Sequence, residues 1–160
     1  AVSELPSGIS GQNYPAFYAV MSADQSISDN VYTTIQFDTE VFDTDSAFDT
    51  ATYTFTVPSG KDGKYFVFVE AFASTTSVSN LDYTNVSIYV NDTERGRSQW
   101  DFRDNDALAA SPNRSMIFDL SAGDTVKGSM RINSNSGTQA IIAGSGVRKD
   151  TAFGAYRIGD

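Results

Sequence analysis

The sequence contains neither cysteine nor histidine among its 160 residues. Without cysteine there is no disulfide framework, no thiolate nucleophile and no cysteine-ligated zinc site. The sequence is therefore equally compatible with an oxidising and a reducing compartment. Without histidine the chain lacks the commonest general base and every Ser-His or Cys-His catalytic arrangement. These two absences leave few ways to build an enzyme from this sequence.

Positive charge and long apolar runs are also scarce. The chain has 20 acidic and 11 basic residues, which gives a formal net charge of -9 at pH 7. Nucleic-acid modules need a basic face, and a membrane-spanning helix needs about 20 consecutive apolar residues. We therefore expect no binding to nucleic acid and no membrane insertion.

Large apolar side chains, by contrast, are plentiful. The chain has 8 Tyr and 11 Phe, which is enough for the packed core of one domain without a metal or disulfide. Residues 1–14 contain Pro6, Gly8 and Gly11 among small polar residues. This composition predicts a linker or extended arm at residues 1–14, followed by one domain at residues 15–160.

Short β-rich runs alternate with turn residues along the domain, so the fold class is predicted to be all-β. Tyr53, Phe55 and Val57 alternate with threonines, the period of a strand with one wet face. Nine strands are predicted, at residues 16–22, 33–37, 52–57, 64–73, 85–91, 115–120, 125–132, 140–147 and 153–158. Periodicity alone leaves a sandwich, a barrel and a jelly roll open.

A series of spaced motifs decides among these architectures. They comprise Ala-Phe-Tyr-Ala at residues 16–19, Ile-Gln-Phe-Asp at 35–38, Phe-Asp at 48–49, the turn from Pro58 to Tyr65, Val-Ser-Ile-Tyr-Val-Asn at 86–91, Phe-Asp-Leu-Ser-Ala-Gly-Asp-Thr-Val at 118–126 and Phe-Gly-Ala-Tyr-Arg-Ile at 153–158. In order and spacing they resemble the globular-head family of complement component one-q and its tumour-necrosis-factor relatives. Tyr53 and Asp92 depart from the pattern, because that family has glycine at both places.

The resemblance implies a two-sheet antiparallel jelly-roll sandwich of about ten strands that forms a homotrimer. This chain is acidic, lacks cysteine and has the motif Leu-Pro-Ser-Gly at residues 5–8. Family members with these features look most similar to domains on the virions of tailed bacteriophages. The resemblance therefore implies a virion surface location, and fold similarity alone does not transfer a function.

The run at residues 65–69 is apolar on both sides, which a sandwich strand with one interior face does not need. We expect a partner subunit to cover the second side, and closed three-fold symmetry would supply it. The predicted trimer interface contains Phe17, Tyr65, Val67, Phe68, Phe153, Tyr156 and Ile158.

A polar segment at residues 95–106 is predicted to be a loop that contacts a partner. It combines one tryptophan with arginines and an amide able to stack on a sugar or peptide. The candidate binding residues are Arg95, Arg97, Gln99, Trp100 and Arg103. The alternative is an exposed loop in which Trp100 anchors itself on the body of the domain.

The same segment carries Asp101, Asp104 and Asp106, which are weak candidates for a calcium site. They lack the glycine and the closing glutamate of an EF-hand loop. We therefore expect no cofactor, with calcium as the one ion that stays open.

Three functions fit these observations. The leading hypothesis is a non-enzymatic virion surface module, either a fibre head, a receptor-binding tip or a capsid decoration protein, whose partners are other virion proteins or a host-surface receptor or glycan. The second is a secreted or cell-surface adhesion domain. The third is a carbohydrate-active enzyme with a pair of acids drawn from Asp38, Glu40, Asp43, Asp45 and Asp49.

Overall fold

Antiparallel β-strands build the chain almost throughout. The computed structural model describes residues 15–75, 80–135 and 137–159, so the predicted arm at residues 1–14 lies outside the described residues. Within these ranges no helix is long and apolar enough to cross a membrane. The strands are β1 (Ala16–Val20), β2 (Gln25–Ile27), β3 (Thr33–Thr34), β4 (Thr39–Asp43), β5 (Phe48–Asp49), β6 (Thr54–Thr56), β7 (Gly63–Glu70), β8 (Phe72–Thr75), β9 (Leu81–Val90), β10 (Thr93–Asp101), β11 (Ala109–Ala110), β12 (Asn113–Leu120), β13 (Thr125–Ser134), β14 (Gln139–Ile142) and β15 (Ala152–Gly159).

Two sheets form a jelly-roll sandwich. The front sheet has the order β12-β7-β15-β1-β4, and the back sheet has the order β10-β9-β13-β6-β5 with β3 also paired to β13. A smaller end sheet, β11-β8-β14-β2, continues the sandwich at one end. The closing strand β15 lies between β7 and β1, so the two ends of the described chain meet in the middle of the front sheet.

The core lies between the front and back sheets. Alternate residues of each strand point inward, and Phe17 is the centre of an aromatic cluster, with ring centroids 4.8 Å from both Phe48 and Phe55 and 4.9 Å from Phe153. The back sheet supplies Val86 and other aliphatic side chains from β9 and β13. Each large apolar side chain removed from water in this way contributes about 1.5 to 3 kcal/mol.

The two-faced apolar run on β7 divides between the two sides of the front sheet. Tyr65, Val67 and Val69 are fully buried in the core, whereas Phe66 and Phe68 point outward and are half-buried. The phenol of Tyr65 donates a hydrogen bond to the Lys61 carbonyl at 2.6 Å. Burial raises the pKa of Tyr65 to about 12.

This division corrects four of the predicted interface residues. Phe17, Tyr65, Val67 and Phe153 are at most 2% exposed in the single chain, so they pack in the core and offer no surface to a partner. The physical reason is the two-residue period of a strand, because only the alternate side chains of β1, β7 and β15 face outward.

All nine predicted strands are present, with shifted ends. The predicted strand at residues 64–73 is interrupted at Ala71, and the one at 140–147 stops at Ile142, just before Gly144 and Gly146 take positive φ values of 95° and 60°.

The predicted loop at 95–106 is wrong in its first half, because β10 continues to Asp101. This edge strand is polar on its outer side and has the small Gly96 against Met116 on its inner side, so it carries no apolar alternation.

Both departures from the family pattern keep the left-handed backbone for which glycine is usual. Tyr53 and Asp92 each have φ of 58°, and Asn91 beside Asp92 has φ of 50°. Two successive positive φ values are those of the tight hairpin turn that matches the twist of the flanking strands. Asn91 fixes this turn, because its amide donates to Asp124 at 2.7 Å and its side-chain oxygen accepts the Thr125 N–H at 2.9 Å.

Candidate binding surfaces

The outer side of the front sheet carries a continuous run of aromatic rings. We call it the aromatic face, and it consists of Tyr18, Phe42, Phe66, Phe68 and Tyr156 with Ile117 and Ile158 beside them. Successive ring centroids are 6.2 Å apart from Phe42 to Tyr18, 6.2 Å from there to Phe68, 6.3 Å to Phe66 and 5.3 Å to Tyr156. The rings therefore form one connected layer across four strands.

Much of this layer is open to water. Ile117 is 59% exposed, Phe42 49% and Tyr156 47%, while charged residues stand at the two ends of β7, at Lys64 and Glu70. An apolar centre with a polar rim is the composition of a protein–protein contact surface. Of the predicted interface residues, Phe68, Tyr156 and Ile158 lie on or beside this face, and their place in an interface stays a prediction.

Gly154 lets the aromatic layer close over the centre of the sheet. It is paired with Phe68 on one side and with Tyr18 on the other. A Cβ atom here would stand 2.6 Å from a ring carbon of Phe68 and 2.9 Å from the Phe17 carbonyl oxygen. The ring of Phe68 therefore packs directly on the backbone of Gly154, and a side chain at position 154 would displace that ring.

The outer side of the back sheet has the opposite character. We call it the polar face, and it consists of outward side chains on β10, β9 and β13 and of Tyr32 just before β3, namely Tyr32, Tyr83, Asn85, Ser87, Tyr89, Glu94, Arg97, Gln99, Lys127, Ser129 and Arg131. Strand alternation places them together, because the residues between them on β9 and β13 fill the core.

Arg131 is the centre of the polar face. Its guanidinium carbon lies 4.6 Å from the ring centroid of Tyr32 and 4.9 Å from that of Tyr83, and Arg97 approaches Tyr32 at 5.5 Å. Such cation–π contacts contribute about 0.5 to 1 kcal/mol each at exposed sites. The phenol of Tyr83 donates a hydrogen bond to the side-chain oxygen of Asn30 at 2.6 Å, and this bond fixes the position of the Tyr83 ring beside Arg131.

Glu94 forms an ion pair with Arg97, whereas Arg131 acts on Glu94 only from a longer distance. The Arg97 Nε donates to Glu94 at 2.8 Å and the Ser87 hydroxyl donates to the same oxygen at 2.6 Å. The hydrogen bond from Arg97 is the main cause that holds the pKa of Glu94 below its ordinary value. Within the described part of the chain, no carboxylate lies within 4.0 Å of Arg131.

The structure does not bring the five predicted binding residues together. Arg97 and Gln99 lie on the polar face. Trp100 points to the other side of the strand, where its ring meets Phe102 at 6.2 Å, and Arg95 shares a depression with residues of β12. Arg103 forms an ion pair with Asp101 in the following turn. Because β10 extends to Asp101, its successive side chains point to opposite sides of the sheet and the predicted binding residues are separated.

Two of the three weak calcium candidates, Asp101 and Asp106, bind other side chains. Hydrogen bonds from Arg103 hold the pKa of Asp101 below its ordinary value, and Asp106 accepts the amide of Asn135 at 2.8 Å. Over residues 15–75, 80–135 and 137–159 no cluster of three acidic side chains is arranged to hold a metal ion. The geometry gives Asp101, Asp104 and Asp106 no common site.

Two of the five acids considered for glycoside hydrolysis, Asp43 and Asp49, fix turns. Asp43 accepts the backbone N–H groups of Asp45 at 3.1 Å and Phe48 at 2.7 Å. Asp49 accepts the Ala51 N–H at 2.8 Å, and this bond lowers its pKa. A general acid needs a raised pKa, so the lowered pKa of Asp49 argues against that role for Asp49, and the turn hydrogen bonds favour a structural role for both side chains.

Comparisons with known proteins bear on the fold. No protein family model matches the sequence, and no curated protein does. The globular domain of zebrafish complement 1qA is 13% identical with a TM-score of 0.58, and the match covers 90% of this chain and 97% of that one. Murine APRIL, crystallised at pH 5.0, is 11% identical with a TM-score of 0.63, and the match covers 91% of this chain and 99% of the other. The chain has the complement-1q and tumour-necrosis-factor jelly-roll fold. At 13% and 11% sequence identity, the similarity to these two structures establishes the fold and no function.

Sequence reasoning missed Tyr32, Tyr83, Tyr89 and Arg131 as surface residues of the complement-1q-like sandwich. A signal for three of them was present. On β9 the residues Val86, Ile88 and Val90 are apolar, so Tyr83 and Tyr89 belong to the opposite side. On β13 the same alternation with Met130 and Ile132 puts Arg131 outward. Nothing local marks Tyr32, which joins them only through the pairing of β3 with β13.

Proposed function

We propose that this domain is a non-enzymatic, trimeric recognition module on a virion surface, with the aromatic face as its subunit interface. The exposed aromatic face carries the proposal. Large aromatic and aliphatic side chains there are about half exposed, and burying them against copies of the same chain would gain about 25 cal/mol for each Å² removed from water. No nucleic acid and no cofactor is involved.

The choice of three copies rests on symmetry and on the family resemblance of the sequence. The aromatic face crosses the sheet in one direction, from Phe42 on β4 to Ile117 next to β7, so its two ends differ. A head-to-tail contact between unlike ends must close into a ring to avoid growing into a fibre. Three copies around one axis are what the resemblance implies.

Recognition follows from what such a trimer would leave in water. The polar face lies on the opposite side of the sandwich from the aromatic face, so three copies of it would point outward. Three weak sites on one rigid particle bind a multivalent surface with an avidity far above the single-site affinity. Two of the five carboxylates considered for catalysis, Asp43 and Asp49, bind turn amides instead, which supports a non-enzymatic role.

A second location has a specific observation in its favour. The two solved structures named above come from zebrafish and mouse, which supports the alternative of a secreted or cell-surface adhesion domain. Antibody labelling of purified particles and of cell fractions separates the two. Label on intact virions supports the virion module, and label confined to cell surfaces or medium supports the adhesion domain.

The trimer is tested by mass in solution. Light scattering on the full chain should give three times the 17.3 kDa chain mass. Tyr156→Glu places a charge in the aromatic face and should yield monomers, because an unpaired charge is costly to bury. Val147→Glu makes the same kind of change at a fully exposed apolar residue outside that face, and this variant should remain trimeric. A folded wild-type monomer, or a trimer that survives Tyr156→Glu, would contradict the proposal.

A further inference from the structure

The polar face contains a cleft of about 230 Å³ between Tyr32 and Tyr89. Thr34 and Ser129 also line it, together with the Lys127–Asp92 ion pair, whose charged atoms lie 2.9 Å apart. Pockets for drug-sized ligands are about 300 to 1,000 Å³. This cleft is smaller, and its size suits a single ring-sized unit of a larger ligand.

The lining of the cleft has the chemistry that a sugar ring requires. Two tyrosines offer flat apolar surface with a hydroxyl at the edge, and threonine and serine add further hydroxyls. The hydroxyl of Ser129 already donates to the Thr33 carbonyl at 3.0 Å, which leaves its oxygen free to accept. Asp92 is 82% exposed in its ion pair with Lys127, and an exposed pair of this kind contributes little stability and can be exchanged for ligand contacts.

Charge gives the cleft a preference for an anion. Three cations, Arg97, Lys127 and Arg131, meet two carboxylates, Glu94 and Asp92, on this face, whereas the chain as a whole has a net charge of -9. The excess cation is Arg131, two residues from Ser129 in the cleft lining and in contact with Tyr32. A planar guanidinium with no carboxylate within 4.0 Å among the described residues is suited to bidentate binding of a ligand carboxylate.

Buried polar atoms beside Arg131 point the same way. Asn85 is paired directly opposite Arg131 and is 0% exposed, and neither its amide nitrogen nor its oxygen has a hydrogen-bond partner. The Nε of Arg131 is likewise buried and without a hydrogen-bond partner. Unsatisfied buried groups are rare in folded proteins and cost about 1 to 3 kcal/mol each. A ligand carboxylate that displaced the side chains covering them would accept hydrogen bonds from the Arg131 Nε and the Asn85 amide nitrogen, and the Asn85 oxygen would need a donor such as a ligand hydroxyl.

We propose that the cleft between Tyr32 and Tyr89, together with Arg131 and Asn85, binds one acidic sugar residue through its ring and its carboxylate. The sugar ring lies against the tyrosines, its hydroxyls bond Ser129 and the Lys127–Asp92 pair, and its carboxylate bonds the Arg131 guanidinium. This inference rests on the recognition role proposed above and names the class of ligand for it.

The test begins with an array of glycans that carry uronate or sialate residues, each beside its carboxyl-reduced neutral counterpart. The best acidic glycan is then titrated by calorimetry against the intact protein. We expect the neutral counterpart to bind at least about tenfold more weakly, the effect of losing one charge-assisted bidentate contact. Arg131→Gln and Tyr32→Ala should each weaken binding of the acidic glycan by a similar factor.

Lys149→Gln is the matched control, because it removes one positive charge from an exposed position outside the cleft. It should bind within about twofold of the wild type, and circular dichroism and solution mass confirm that every variant keeps the wild-type fold and assembly. Equal binding of acidic and neutral glycans, equal binding by Arg131→Gln and Tyr32→Ala, or no bound acidic glycan on the array would overturn the inference.

The outcome separates this inference from the proposed function. If Trp100→Ala abolishes glycan binding while Arg131→Gln and Tyr32→Ala do not, recognition stands and the cleft assignment falls. If the protein is a monomer whose binding depends on Arg131, the cleft assignment stands and the trimeric module falls.

Discussion

The two outer faces of the sandwich are made by the same rule and have opposite chemistry. Both use every second residue of antiparallel strands that share one core. On the front sheet these residues are aromatic rings, and on the back sheet they are tyrosines held among arginines, hydroxyls and carboxylates. The difference shows that the alternate positions left free by the core, rather than the fold, determine what each side can bind.

The difference also decides which face can be buried. Covering the aromatic face removes apolar surface from water and costs few hydrogen bonds. Covering the polar face with a protein surface would desolvate charged groups such as Glu94 and Arg131, and each unpaired group left behind would cost several kcal/mol. The front sheet is therefore suited to permanent association and the back sheet to a small polar ligand.

The largest expected effect tests which side of β1 faces the core. Phe17→Ala removes the ring at the centre of the aromatic cluster and should lower the free energy of unfolding by about 3 to 5 kcal/mol. Tyr18→Ala, the next residue and outward-facing, should cost clearly less. Urea unfolding in the Tyr156→Glu background removes the contribution of association. Equal losses for the two variants would mean that the faces are assigned wrongly.

A smaller effect tests how the aromatic face is closed. Gly154→Ala should cost about 1 to 3 kcal/mol, because the new methyl group meets the Phe68 ring and the fixed carbonyl of Phe17. Gly159→Ala on the same strand has no atom within 4 Å of the new methyl group and should change stability by less than about 0.5 kcal/mol. The same urea experiment measures both, and equally mild changes would show that Phe68 does not cover Gly154.

The smallest effect tests the charge network of the polar face. The pKa of Glu94 is lower in the folded chain than its ordinary value of 4.5. Its stabilising contribution is therefore complete above the unfolded pKa and is lost as pH falls through the folded pKa. Between pH 7 and about pH 3, wild type should lose up to about 1 kcal/mol more unfolding free energy than Glu94→Gln. Arg97→Gln should reduce the same difference, because the Ser87 hydroxyl and Arg131 still favour the charged form of Glu94, and parallel pH profiles for wild type and Glu94→Gln would contradict the prediction.

Much of the fold could be predicted from the sequence. Strands with one wet face, such as the one that contains Phe55, display their alternation directly, and the ordered motifs chose the jelly roll among all-β folds. The strands that escaped prediction are short or lie at a sheet edge. β10 is the clearest case, because its inner side holds Gly96 and Ser98 where a central strand would place apolar residues.

The candidate surfaces were harder to predict, because they depend on pairing between distant segments. Tyr32, Tyr83 and Arg131 are far apart in sequence and meet only through the register of β9, β13 and β3. The interface prediction failed for Phe17 and Tyr65 for a different reason. Apolar residues on both sides of a strand were recognised, but the side that faces the core depends on the position of the second sheet, which no local pattern specifies.

The position of β15 sets the order in which this molecule is completed. It lies between β7 and β1 and pairs with both, so both of those strands keep an unpaired edge until this 8-residue strand has been synthesised. Chain growth adds about 5 to 20 residues per second, whereas pairing of such distant segments takes about milliseconds to seconds. The outward rings of β1 and β7 therefore lie on separate pieces of sheet until β15 pairs with both, and the aromatic face is assembled only in that step.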